Sequence, residues 1–348
     1  MTPPVATALL PDRDPALVTA PPRSLVAAAV APDLSSRLAA PLVTGPSALY
    51  EVRAGQPADR RDRFLTLLAI YDLHTGPLQE VGEAARYQGH PAVAEVKARL
   101  EADWLTELNQ AWDQAGHLTE ARTADEVVRA MRAVAARDRL PAAYRWLART
   151  ADWHQVVDFL ALEGGPDGGF DDLVAVCQVG LSGSAKLELG KNYWDEMGQG
   201  DAAGVHTTLY EDLVEAIAMP RIPRELLPVE ALERAALGGL LATNRWLQPE
   251  MIGALGLLEL QAGPRCRLVL QAFDRLGAPE GAYPFYVEHA EVDPVHGKDW
   301  MDKAIAPLAA QQHAWGPRLV KGAWWRSSIN LRFFASLQEG LVEQSAAA

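Results

Sequence analysis

An all-α fold is what this sequence predicts, and three observations carry the expectation. From Arg60 onward, apolar residues recur at spacings of three and four. Ala and Leu dominate those stretches, and apolar–polar alternation is short wherever it occurs. Helix start and stop signals bracket the periodic runs. No internal repeat and no sustained heptad pattern interrupts them, so the body reads as one bundle of about ten helices.

Residues 1–55 are set apart as a Pro-rich arm. Proline pairs at 3–4 and 21–22, with further prolines at 11, 15, 32, 41 and 46, forbid long helices there. The arm is expected to be extended, part disordered and part packed on a helical domain spanning 56–340. That domain opens with RRDRFLTLLAIYDLHTG, where Phe64, Leu67, Leu68 and Tyr71 share a face and Gly76 gives a stop. HPAVAEVKARLEADWLTELNQAWDQAG predicts a long amphipathic helix with Pro91 in its first turn. TADEVVRAMRAVAARDRL begins with a capping-box pattern, Thr123 followed by Glu126. LPAAYRWLARTADWHQVVDFLALEGG gives one or two helices. Further helices are expected in FDDLVAVCQVGL, SAKLELGKNYWDEMG, VHTTLYEDLVEAIAM, LPVEALERAALGGLLATNRW and MIGALGLLELQAG. PFYVEHAEVDPVHGKDWMDKAIAPLAAQ and SSINLRFFASLQEGLVEQ close the set.

Composition narrows the function. A net charge of −13 with 22% charged residues argues against a nucleic-acid surface or attachment to anionic lipid, both of which need clustered Lys and Arg. Small-molecule chemistry, or cations held by carboxylates, fits better. Cys177 and Cys266 form no CxxC pattern and read as free buried thiols, which together with the lack of a secretory signal or long apolar run predicts a cytoplasmic protein.

Chemistry-bearing residues fall in three places. In YVEHAEVDPVHGKDW, His289, Asp293 and His296 are four and three residues apart, steps of about 400° and about 300° on a helix, so all three share a face. Alone, that triplet is either a metal half-site or a polar surface. In DWHQVVDFLALEGG, Glu163 follows Trp153, Val156 and Leu160 on an apolar stripe. It is either paired or bound to metal on a buried face, or reaches solvent at the helix end before Gly164. In NYWDEMGQGDAAGVH, Asp195 and Glu196 precede His206. On an unbroken helix Glu196 would stand about 80° from His206 and Asp195 closer to it, but two glycines make such a helix doubtful, so spacing leaves the choice of acid open. The remaining histidines read as surface, capping or structural residues.

These pieces, in this order, resemble the haem-oxygenase-like di-iron oxidases and oxygenases, the iron-containing redox enzymes. KLELGKNYWDEMGQG and the closing WRSSINLRFF are family-like as well, and the likeness spans roughly residues 60–335. The resemblance implies a haem-oxygenase-like helical bundle. It implies Glu163, Glu196, His206, His289, Asp293 and His296 as metal ligands, and it is the resemblance that favours Glu196 over Asp195. Two iron ions, O2 as co-substrate, an external electron donor and a homodimer are implied with it.

Family members N-oxygenate amines, or oxidatively cleave or desaturate aliphatic acids and amino acids. The NYWDEMG form is closer to the N-oxygenating members. A helical binding module with a degenerate metal site is the reading from another class. Tyr193, Trp194, Phe285, Tyr286 and Trp300 are candidates to line a substrate pocket, and Arg326 and Arg332 to hold a substrate carboxylate. Two features depart from the family pattern: the Pro-rich arm, and Pro294, which is expected to kink or weaken the third ligand helix together with Gly297.

Overall fold

The computed structural model describes residues 34–38, 49–53, 55–164 and 169–347. Among these there is no strand, only an isolated antiparallel bridge between Met197 and Val205. The helices are α1 (Arg60–Thr75), α2 (Pro91–Asp113), α3 (Ala124–Arg137), α4 (Ala142–Arg149), α5 (Trp153–Glu163), α6 (Phe170–Cys177) and α7 (Gly183–Glu196). They continue as α8 (His206–Ala216), α9 (Val229–Thr243), α10 (Gln248–Leu276), α11 (Tyr283–Asp299), α12 (Ala306–Gln311) and α13 (Gly316–Ala347).

The local signals act as the sequence predicts. His90 caps α2, its Nδ1 accepting from Ala92 N at 3.3 Å. Thr123 and Glu126 bond reciprocally across the start of α3. The stretch that promised one or two helices holds two, α4 and α5, because Asp152 and Gln155 form a second capping box that starts the latter. Cys177 and Cys266 are free and buried. No described helix is long and apolar enough to cross a membrane.

Most of the N-terminal arm lies outside the described residues. The parts described, 34–38 and Leu49–Val52, are short helices that bury Leu34, Leu38, Leu49 and Val52 against the body. Asp62 pins the first of them: its carboxylate accepts from Leu34 N at 2.8 Å and Ser35 N at 2.9 Å.

Helix α10 is the axis of the fold. It packs against α3, α4, α11 and α13, so buried residues surround it on every side. The sequence suggests a helix ending near Gly263, but α10 runs through Gly263 and Pro264 to Leu276. Burial on all faces outweighs the propensity cost of Gly and Pro in mid-helix. The crossing with α13 is close because glycines meet backbone there: a Cβ on Gly322 would lie 1.8 Å from Glu250 O, and one on Gly253 would lie 1.8 Å from Leu319 O. Beside that crossing Glu250, fully buried, is paired with Arg318 and Lys321.

Pro294, expected to kink or weaken α11, does not interrupt it. The helix is continuous to Asp299 and then widens into a π-helical stretch, Trp300–Ile305. Proline removes the N–H that would satisfy the carbonyl four residues back, Ala290 O. Arg267 of α10 supplies the missing donor, its Nη1 bonding Ala290 O at 2.8 Å. A tertiary contact thus replaces the lost helical one.

Candidate metal centre

Glu196 is the last residue of α7 and His206 the first of α8. Between them two short 3-10 turns, Gly198–Gly200 and Ala202–Gly204, reverse the chain, and the Met197–Val205 bridge closes the reversal. Helical phase is therefore not what joins this pair; the turn is. Glu196 is buried, and its Oε2 lies 2.7 Å from His206 Nδ1. The adjacent Asp195 is directed elsewhere, to His296 Nε2 at 3.0 Å.

Helix α11 presents its three predicted residues to one side, with Asp293 and His296 buried. The rings of His289 and His206 stand 4.5 Å apart. His289 Nδ1 donates to Phe285 O at 2.6 Å, which fixes the tautomer and leaves Nε2 as the acceptor or ligand atom.

The structure adds Glu259, which the sequence reading did not single out. It projects from α10, buried, with Oε1 accepting from Asn192 Nδ2 at 2.8 Å. Ligand-type atoms of Glu196, Glu259 and His296 all lie within 4.8 Å of one another. The sequence does carry a signal for it: Ile252, Leu255 and Glu259 fall at spacings of three and four, which places a carboxylate on an apolar stripe. Gly297 lets α10 and α11 meet there, since a Cβ on it would be 2.8 Å from Glu259 O. The glycine read as loosening α11 is what allows this close approach.

Four atoms at this point are buried without a hydrogen-bond partner: His206 Nδ1, Glu259 Oε2, Asp293 Oδ2 and His296 Nδ1. The His206–Glu196 contact is short, yet its alignment is not that of a hydrogen bond, and His296 Nδ1 is 3.6 Å from Glu259 Oε2, too far for one. Buried polar groups are almost always satisfied, and leaving one orphaned costs about 1–3 kcal/mol. Imidazole nitrogens and carboxylate oxygens converging with unused lone pairs fit a cation with nitrogen and oxygen ligands.

Electrostatics agree with that fit. Burial raises the pKa of Asp293 well above the carboxylate range, and Glu259, Glu196 and Glu288 add to it. Burial also raises Glu196, against the opposing pull of His206. Burial and the neighbouring His206 lower His289 to about 4. Burial would lower His296 too, but the Glu259 and Asp195 carboxylates outweigh it and lift it to about 9. Metal ligands must lose their protons, so uptake competes with protonation of Asp293, Glu196 and His296. Metal affinity is therefore expected to rise with pH toward about 9. Each displaced proton contributes about tenfold per pH unit below its group's pKa. Titrations at stepped pH, with proton release followed in weak buffer, measure this; a flat profile from pH 6 to about 9 would contradict it.

A cavity of about 690 Å³ extends from the cluster. Glu163, Glu196, His206, His289, Asp293 and Glu259 line it, as do Phe285 and Tyr286. Glu163 borders this cavity but is not drawn into the cluster: its Oε1 accepts from Arg234 Nη2 at 2.9 Å. Five other pocket candidates lie elsewhere. Tyr193 is half-buried outside the cavity, and Trp194 is exposed against Gly200. Arg332 pairs with Glu233 at 2.9 Å, and Arg326 is buried on the Arg234 carbonyl. Trp300 packs in the core and donates to Ile252 O. The residues that do line the cavity include Tyr144, Tyr210, Arg234 and Arg265, which come from α4, α8, α9 and α10.

An all-helical bundle with a buried Glu, Glu, His group beside a cavity is of the kind that can hold a metal ion. Residues 158–330 match the family described as iron-containing redox enzyme, and through that half of the chain the protein belongs to this family. The matched span contains every residue of the cluster. The protein is thus an iron-dependent oxidoreductase. No curated protein matches the chain.

Proposed function

We propose that the protein is a non-haem di-iron oxygenase or oxidase that N-oxygenates a small amine or amino-acid-derived molecule. The observation that carries this reading is the buried Glu196, Glu259 and His296 group, whose ligand-type atoms lie within 4.8 Å of one another, with His206 Nδ1 2.7 Å from Glu196 Oε2. Glu196, Glu259, His206, His289, Asp293 and His296 would hold the metal. Glu163 would join them on exchanging Arg234 for a metal ion. Bound iron would supply the activation of O2 that oxidising an amine requires, with electrons from an external donor.

The chain's own residues set the conditions for that chemistry. Phe285, Tyr286, Met219, Ile222 and Leu227 wall the cavity and exclude water. Burial raises the pKa of Tyr144, Tyr210 and Tyr286, so these phenols stay protonated and offer O–H donors to a substrate at neutral pH. An amine suits the lining, because its arginines are engaged: Arg221 by Glu211, Arg224 by Asp72, Arg234 by Glu163 and Arg265 by Asp138.

The test is an anaerobic Fe(II) titration followed by O2 consumption with a panel of amines, amino acids and aliphatic acids. Two equivalents bound per chain are expected, with O2 uptake and a hydroxylamine-type product from an amine. His289→Ala and Glu196→Ala should lower the uptake. Unchanged uptake in both variants, or none in the wild type, would sink the di-iron reading. Turnover of aliphatic acids alone would shift it to oxidative cleavage or desaturation.

A further inference from the structure

We propose that Asp195, with Gln199 behind it, is a positioning residue that fixes which nitrogen of His296 faces the carboxylate cluster; the inference rests on the metal-centre reading above. Asp195 Oδ2 lies 3.0 Å from His296 Nε2, and an ionised carboxylate only accepts, so Nε2 carries the N–H. In the form able to bind a metal, the ring has its lone pair on Nδ1. That atom is buried, lacks a hydrogen-bond partner and stands on the Glu259 side of the ring. His289, seven residues earlier on the same helix, is held the opposite way round, by Nδ1 on Phe285 O. Two imidazoles of one helix therefore present different nitrogens, and a different outer contact sets each.

Gln199 is the second observation. Its Nε2 donates to the other carboxylate oxygen, Asp195 Oδ1, at 2.9 Å. Its backbone lies in the left-handed region, φ 54 and ψ 28, between Gly198 and Gly200. A third glycine would occupy that conformation without strain. Glutamine occupies it instead, and its amide closes a chain of contacts from Gln199 through Asp195 to His296. Strained residues of this kind persist where the surroundings over-determine them, often beside a functional site. The adjacent acids Asp195 and Glu196 thus divide the work: Glu196 enters the cluster, and Asp195 orients a member of it from outside.

The test uses the full chain as wild type, Asp195→Ala, Asp195→Asn and Gln199→Gly. Anaerobic Co(II) and Fe(II) titrations against a competing chelator are read together with the Co(II) visible spectrum and the metal-free melting temperature. Asp195→Ala should weaken one bound equivalent about 10–100-fold and shift the Co(II) bands, with metal-free melting unchanged. Asp195→Asn keeps an acceptor for Nε2 and should stay within about threefold of wild type. Gln199→Gly should melt at or above the wild-type temperature while losing affinity by a smaller factor than Asp195→Ala. The proposal is overturned if Asp195→Ala binds both equivalents like wild type with an unchanged Co(II) spectrum, or if Asp195→Asn is no better than Asp195→Ala. Absence of uptake by the wild type would instead remove the metal-centre reading on which the proposal stands.

Discussion

Glu259→Gln is expected to lower metal affinity by more than about 100-fold while leaving the metal-free fold as stable as wild type, or more so. The size follows because losses of 10–100-fold arise from removing groups that merely orient a ligand, and Glu259 sits inside the cluster. Its Oε2 is one of the orphaned atoms, beside His296 Nδ1 and near Asp293. Glutamine keeps the shape and keeps an oxygen for the Asn192 amide. It also removes a buried carboxylate from a site that already holds Glu196 and Asp293. An uncompensated buried charge is costly, so its loss favours the metal-free protein. Opposite signs for the two readouts separate a ligand from a structural acid. Iron content by elemental analysis, anaerobic titration and melting with and without metal check it. Wild-type affinity in the variant would exclude Glu259 from the centre.

Gly322→Ala is expected to destabilise the protein by about 3 kcal/mol, lowering its melting temperature by roughly 5 °C, as overpacking of a close helix contact does. The added methyl would meet Glu250 O at 1.8 Å and Glu250 Cα at 2.6 Å, both backbone atoms that no rotamer change can move aside. Helix α13 would have to shift away from α10, disturbing the pairing of buried Glu250 with Arg318 and Lys321. Gly89→Ala serves as the control, because a Cβ there meets nothing within 4 Å. Thermal and denaturant unfolding of both variants measure the difference. Equal effects from the two would mean that α13 yields freely at this crossing.

Much of the fold is legible in the sequence because helices are specified locally. Spacing of apolar residues, the Thr123–Glu126 box and glycine stops mark helix after helix without reference to distant residues. Where the sequence misleads, a distant residue intervenes. Pro294 reads as a kink until Arg267 is seen bonding the carbonyl it leaves bare. The helix predicted to end at Gly263 continues to Leu276 because α10 is buried on every face.

The candidate site divides in the same way. That His289, Asp293 and His296 share a face of α11 follows from helical geometry alone, but only the resemblance made that face a metal half-site rather than a polar surface. Glu196 and His206 could be paired only by resemblance, since a turn rather than helical phase brings them together. Arg326 and Arg332 looked suited to a substrate carboxylate, but packing assigns one to the core and the other to Glu233.

By itself, then, the sequence determines the helices, the apolar face of each and the side chains able to bind metal, because each depends on residues a few positions apart. Only the tertiary structure decides that Glu259 joins them, that Asp195 orients His296 and that Glu163 is held by Arg234. Those outcomes depend on how closely α10 and α11 approach at Gly297, and on which way each side chain turns once water is excluded. No local pattern encodes a distance between helices.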